Sequence, residues 1–234
     1  MLNRVAQSLR AAGGTIFEFV VAKILNSFLN PDGIVVTRAR EPALRTLIRD
    51  CSNLQRVMDF TKIPVKRRCD QTQLQDYPDL DLFALIRPSQ DDGLWRLLAI
   101  INCKVSFHAR DTEATFWGLL IRLSSNIPFV VVTEDRDIYK PKASELGQSC
   151  TQSTRARRLL ESFSDGVYLV KQYNGVNDSS LCRDIETKRS QLEAGIRRIV
   201  FDDPNIPNHT KYCQSVRPID DLIVHLRRWK EEIS

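Results

Sequence analysis

The stretch from Asp79 to Thr133 constrains the fold more than any other part of this chain. Residues 79–86 are a run of strand formers, 88–93 (Pro-Ser-Gln-Asp-Asp-Gly) is turn chemistry, and 94–105 is a second, longer apolar run. Two such runs around a tight turn predict an antiparallel hairpin. Residues 112–125 then carry Phe116, Trp117, Leu119, Leu120 and Leu123, predicting a helix that stops before Pro128. Phe129-Val130-Val131-Val132-Thr133 is continuously apolar, as a strand covered on both faces must be. Strands, a helix and a further buried strand in this order predict an α/β core with a mixed sheet.

The flanks add helices. Gly13-Gly14-Thr15 offers a break and an N-cap, so a helix is expected over 16–25, closed by Asn30-Pro31-Asp32-Gly33. A second is expected from Pro42 to about Phe60, with Leu44, Leu47, Ile48, Leu54 and Val57 at helical spacing. The basic stretch 62–71 reads as a loop. Beyond the centre, the pattern predicts a helix over 154–162, a strand over 166–171, and helices near 180–199 and 218–233. No repeat and no shift in composition divides the chain. It reads as a single domain, 1–234, with a core over about 14–171 and a helical C-terminal part over about 180–234.

Composition narrows the class. Of 234 residues, 42% are hydrophobic and 27% charged, with only 9 glycines and 10 prolines, which excludes a disordered or fibrous chain. Apolar runs outside the helices are too short to cross a bilayer, and Met1-Leu2-Asn3-Arg4 does not open a signal peptide. A soluble intracellular protein without a membrane partner is expected. The 34 basic against 29 acidic residues leave +5, which admits a polyanionic partner without demanding one. The six cysteines include no CxxC pair and the three histidines are scattered, so the thiols read as free and mostly buried, not as a zinc site.

The chemistry concentrates on the hairpin. Side chains alternate along a strand, so Asp79 and Asp81 share a face, as do Asn102 and Lys104. Pairing the two strands gathers both sets at one end of the sheet. Carboxylates with a backbone carbonyl, that of Cys103, suit Mg²⁺, a hard cation that takes oxygen ligands. A lysine beside them orients or deprotonates a water, or stabilises developing negative charge. That combination fits hydrolysis of a phosphodiester. Asp79 follows Pro78 and Asp81 directly precedes the apolar run; the spacing leaves open which is the principal ligand. Ser106, His108 and Arg110 follow the lysine closely enough to touch a scissile phosphate, or serve as a solvated connection. Lys66-Arg67-Arg68 leads into the same end and is the most attractive of four basic clusters for DNA; the others are at 155–158, 197–198 and 227–228.

Pro78-Asp79, then Asn102-Cys103-Lys104, resembles the PD-(D/E)xK nuclease superfamily, and type II restriction endonucleases in particular. Gly14-x-x-Phe17-Glu18 on the preceding helix, the hairpin, the following helix and the apolar strand resemble its αβββαβ core, a mixed central sheet flanked by helices. Cys103-Lys104-x-Ser106 through Arg110, Glu113, Phe116 and Trp117 also looks like restriction enzymes carrying Cys-Lys-x-Ser. The likeness spans about 14–135. It implies a Mg²⁺-dependent enzyme in the cytoplasm of a prokaryotic cell, cutting double-stranded DNA at a short specific sequence as a homodimer. Glu18 is implied as an auxiliary acid of the metal shell, against a plain surface glutamate.

One position departs from the pattern. Two residues before the lysine the superfamily carries Asp or Glu, and here stands Asn102. Three readings follow. The missing carboxylate has migrated to the next helix, with Glu113 as the candidate; or Asn102 replaces a native acid and leaves DNA bound and uncut; or catalysis has been lost and the chain is a DNA-binding module. A repair or recombination nuclease that reads DNA structure is the other alternative within the superfamily.

Overall fold

The computed structural model describes residues 2–66, 73–89, 93–107, 111–134, 145–146, 153–170 and 216–233. Helix α1 (Leu2–Leu29) ends in a 3-10 turn, Asn30–Asp32, with Gly33 in the left-handed region at φ 72°. Then come β1 (Ile34–Arg38), α2 (Glu41–Leu47), α3 (Cys51–Asp59), β2 (Ile63–Lys66), β3 (Gln73–Asp76), β4 (Leu82–Ile86) and β5 (Arg96–Lys104). Helix α4 (Asp111–Ser124), β6 (Phe129–Thr133), α5 (Arg155–Phe163), β7 (Gly166–Leu169), β8 (Val216–Pro218) and α6 (Ile219–Ile233) complete the described elements.

Six strands form one sheet in the order β1-β4-β5-β6-β7-β8. The β1–β4 and β4–β5 pairs are antiparallel, and β5–β6, β6–β7 and β7–β8 are parallel. The expected α/β architecture with a mixed sheet is therefore present, in three layers. On one face Phe17, Val21, Leu25 and Leu29 of α1, with Leu222, Ile223 and Leu226 of α6, pack over Ile34, Leu82, Ala84 and Ile101. On the other, Leu44, Val57, Ala114, Ile121 and Leu160 from α2 to α5 cover Phe83, Ile100, Val131 and Val167. Strands β4, β5 and β6 are buried almost throughout, which is why their sequence shows continuous apolar runs instead of clean alternation.

Several boundaries differ from expectation, each for a physical reason. Helix α1 starts at Leu2, because the residues before Gly13 keep a helical apolar period and the two glycines sit inside the helix. The long helix expected from Pro42 to Phe60 is two helices: Ile48 turns extended, and Asp50 starts α3 by accepting the Asn53 N–H at 2.7 Å. Within the expected loop 62–71, Ile63–Lys66 pairs antiparallel with Gln73–Asp76. Strands β1 and β8 were not anticipated. The hairpin strands are shorter than the apolar runs, so Asp79 and Asp81 precede β4. The helix at 154–162, the strand at 166–171 and the helix at 218–233 appear as α5, β7 and α6 within a residue or two. The helix expected near 180–199 lies outside the described residues. Trp95 and Trp117 are half-buried, packed against the core on the α2–α5 face of the sheet.

The expectation that no segment is long and apolar enough to cross a membrane is corrected by residues 12–32, whose mean hydropathy is 1.3. That hydropathy has a packing cause, since Phe17, Val21, Leu25 and Leu29 supply the sheet with one helical face.

Gly118 fixes how closely α4 approaches its neighbours. A Cβ there would stand inside van der Waals contact of the Phe163 carbonyl and 3.0 Å from the Phe129 ring. Gly118→Ala is expected to destabilise the fold by about 1–3 kcal/mol despite alanine's better helix propensity, measured by urea unfolding.

Candidate active site

The end of the sheet where β4 begins and β5 finishes carries the polar cluster. Asp81 is anchored by its backbone, whose carbonyl accepts the Ala39 N–H at 3.0 Å just past β1. Its side chain turns to β5: Oδ2 accepts the Cys103 N–H at 2.7 Å and lies 3.7 Å from Lys104 Nζ. Leu82 pairs with Ile101, so one step further Asp81 stands across from Asn102. Asn102 and Lys104 project from the same face of β5 by strand alternation.

Burial governs the electrostatics. The side chains of Asp81 and Lys104 are only 13% and 9% exposed. Desolvation raises the Asp81 pKa above the ordinary carboxylate value; the Lys104 charge and the Cys103 N–H oppose this, and Glu18 and Asp79 reinforce it. A carboxylate held at such cost gains most when a cation joins it. Cys103 turns its thiol into the buried core beneath α1, where burial pushes its pKa well up, leaving its backbone for the site. Cys51 is exposed; the other four cysteines lie outside the described residues.

Asn102 is fully buried, and neither its amide oxygen nor its amide nitrogen has a hydrogen-bond partner among the described residues. An orphaned buried polar group costs about 1–3 kcal/mol. Glu18 is buried on α1 and bridged to Arg38 at the end of β1, whose Nε and Nη2 both stand 3.1 Å from Oε2. This replaces the picture of a surface glutamate. Glu18 needs a partner when buried, and Arg38 is that partner.

Of the two aspartates, Asp81 meets Lys104 while Asp79 stays exposed. Glu113 is exposed on the first turn of α4, and the structure gives it no hydrogen bond or ion pair to Asp81 or Lys104. Ser106 is half-buried directly after β5. Arg67, Arg68, His108 and Arg110 lie outside the described residues, and Lys66 is described only by its backbone in β2. Among the other basic clusters, Arg157 is fully buried against Glu161 at 2.7 Å, which removes it from any DNA-facing role. Arg227 is engaged by Asp32, and residues 197–198 are outside the described set.

Two polar residues of this region escaped the sequence reading. Arg38 sits on a strand that was not anticipated, although Ile34-Val35-Val36-Thr37 after a turn is a strand signal. Glu145 accepts the Phe107 N–H at 2.9 Å and so fixes the backbone that leaves β5. No sequence signal points to it.

Among the described residues, no three His, Cys, Asp or Glu side chains cluster as a metal cage. The donors at the Asp81 end are instead hard oxygens: one desolvated carboxylate and one orphaned amide across from it. That set fits Mg²⁺, which binds through one or two carboxylates and keeps water and substrate oxygens for the rest.

Comparison with known proteins shows the family. A curated Methanocaldococcus jannaschii protein named "Putative type II restriction enzyme MjaVIP" is 25% identical over 176 residues, covering 73% of this chain and 70% of that protein. Among solved structures, the restriction endonuclease AgeI in its specific DNA complex shares the fold at TM-score 0.50 with 17% identity, over 74% of this chain. This chain spans 61% of the AgeI chain. The pre-specific BsaWI–DNA complex aligns over 84% of this chain and 68% of that one, at TM-score 0.43 and 15% identity. Residues 50–193, more than half of the chain and including β4, β5 and α4, match the family described as BsaWI restriction endonuclease type 2. The hairpin that brings Asp81 to Lys104 thus lies inside the matched segment, and the chain belongs to the BsaWI type II restriction endonuclease family.

Proposed function

We propose that this chain is a Mg²⁺-dependent type II restriction endonuclease that hydrolyses phosphodiester bonds of double-stranded DNA at a short specific sequence, acting as a homodimer. The carrying observation is the Asp81–Lys104 pair, 3.7 Å apart and nearly buried at the paired ends of β4 and β5. Asp81, the Asn102 amide oxygen and the Cys103 carbonyl would hold the metal. When bound, Mg²⁺ neutralises charge building on the phosphate oxygens and acidifies water. Lys104 orients the attacking water or takes its proton, and its ammonium form stabilises the developing negative charge. The Cys103 N–H and the Lys104 charge hold Asp81 against rotation, so the carboxylate is aimed before any substrate arrives. Glu18, fixed by Arg38, adds negative potential behind that carboxylate.

Asn102 supports a second reading, a DNA-binding module that no longer cuts, because an amide is a weaker Mg²⁺ ligand than a carboxylate. Digestion of a long, sequence-diverse DNA distinguishes them. The expected result is discrete fragments with Mg²⁺ and none with excess EDTA. Tight binding without cutting under any metal favours the module, and cutting governed by branches or ends favours a structure-specific nuclease.

A further inference from the structure

We propose that the outer face of α1 is a seam on which a second copy of this chain docks, helix against helix. The inference rests on the homodimer reading above and assigns that dimer its surface.

Helix α1 has two apolar stripes, where a helix lying on a sheet needs one. Phe17, Val21, Leu25 and Leu29 recur every fourth residue and are buried against the sheet. On the opposite side Ile16 and Phe19 are 62% and 67% exposed, and Val20 is 39% exposed. The sequence period that holds Ile16 and Phe19 continues back through α1, where positions 12, 9, 5 and 2 are Ala, Leu, Val and Leu. Positions 2, 5, 9, 12, 16 and 19 alternate steps of three and four, the a and d positions of a heptad. That period has a specific meaning. A buried helix face needs no repeat of 3.5, whereas two helices wrapped on one another do. The stripe also ends sharply, since Lys23 takes the next a position.

The flanks fit a copy of the same helix. The e positions are Ala6, Gly13 and Val20, and the g positions are Ser8, Thr15 and Ala22, all uncharged and mostly small. Two copies therefore close on each other without bringing like charges together. The charged residues of this stretch, Arg4, Arg10 and Glu18, fall at b and c positions of the repeat. DNA is a poor occupant of such a face, because phosphates demand lysine and arginine there. Docking at this seam also has a functional consequence. Glu18 on the same turns is tied to Arg38, and the next residue, Ala39, donates its N–H to the Asp81 carbonyl, so pairing two α1 helices sets the separation of the two Asp81–Lys104 pairs.

Sedimentation equilibrium of the full chain tests this, alongside the double variant Ile16→Glu/Phe19→Glu and a control, Leu119→Lys/Leu123→Lys, on the exposed stripe of α4. The unaltered chain is expected to be a dimer. The α1 variant is expected to raise the dimer dissociation constant about 100-fold or more, since it buries charge in an apolar seam, and the α4 control is expected to remain dimeric. A dimer that survives the α1 variant, or that only the α4 variant breaks, overturns the seam and leaves the homodimer standing. A chain monomeric at every concentration overturns both, and flotation with lipid vesicles instead of self-association overturns the seam. Should the glutamate variant unfold, a nitroxide on Ala12→Cys serves instead, in a background with Cys51, Cys69, Cys150, Cys182 and Cys213 replaced by serine and buried Cys103 kept. Helices packed 8–10 Å apart bring two such labels within about 20 Å, and a larger or absent dipolar distance overturns the seam.

Discussion

Asp81→Ala is expected to leave DNA binding intact and to lower cleavage about 10²–10⁴-fold, and Lys104→Ala is expected to do the same. Asp79→Ala is expected to stay within a few-fold of the unaltered chain. The contrast follows from geometry. Asp81 accepts the Cys103 N–H and stands 3.7 Å from Lys104, whereas Asp79 is exposed, with no ion pair to Lys104 among the described residues. On the proposed mechanism Asp81 and Lys104 act as a unit, so Asp81→Ala/Lys104→Ala is expected to cost little more than either single change. Each single variant has an extra liability that separates it from simple unfolding. Removing Lys104 strips a desolvated carboxylate of its counter-charge, and the protein lowers that penalty by protonating Asp81. Lys104→Met, which keeps the apolar stem, should therefore retain a folded thermal transition while remaining inactive. Gel shift in Ca²⁺, single-turnover cleavage in Mg²⁺ and a melting curve together check the assignment. Full activity in Asp81→Ala, or loss in Asp79→Ala, transfers the metal role to Asp79.

Why Asp79 and Asp81 looked equivalent in the sequence, and do not in the structure, illustrates where local pattern stops. Alternation puts both on one face only if the strand reaches residue 79, and β4 starts at Leu82. What selects Asp81 is the β5 backbone beside it, a pairing between residues 22 apart in sequence. The hairpin, α4 and β6 were legible because burial on both faces leaves long apolar runs. Short or edge elements were not. Strand β1 is five residues after a turn, and β8 is three residues that only become a strand beside β7. The ion pair of Glu18 with Arg38 joins residues 20 apart on two elements, one of them unanticipated, so no spacing rule finds it. Helix α1 was underestimated for a different reason: Gly13-Gly14 reads as a breaker, yet the apolar period on either side continues through it.

Asn102→Asp is expected to raise both Mg²⁺ affinity and cleavage, each by about tenfold or more, because a carboxylate replaces a neutral oxygen donor on a hard cation. The structure makes this a sharper test than the sequence did. Asn102 is fully buried with both amide atoms unpartnered among the described residues, directly across from Asp81, whereas Glu113 is exposed at the start of α4. A migrated Glu113 ligand would have to be drawn in by substrate; an acid introduced at position 102 is already in place. The substitution also carries a signature independent of catalysis. Without metal, the introduced carboxylate adds a second negative charge beside Asp81, whose pKa is already raised by burial, so the metal-free variant should melt lower than the unaltered chain. With Mg²⁺ that repulsion becomes attraction for the ion, and the Mg²⁺-dependent rise in melting temperature should exceed that of the unaltered chain. A variant that melts lower and gains nothing from Mg²⁺ places the ion elsewhere. In that case Glu113→Ala in the unaltered chain becomes decisive: lost cleavage identifies the migrated carboxylate, and unchanged cleavage leaves Asp81 as the one side-chain acid the reaction uses.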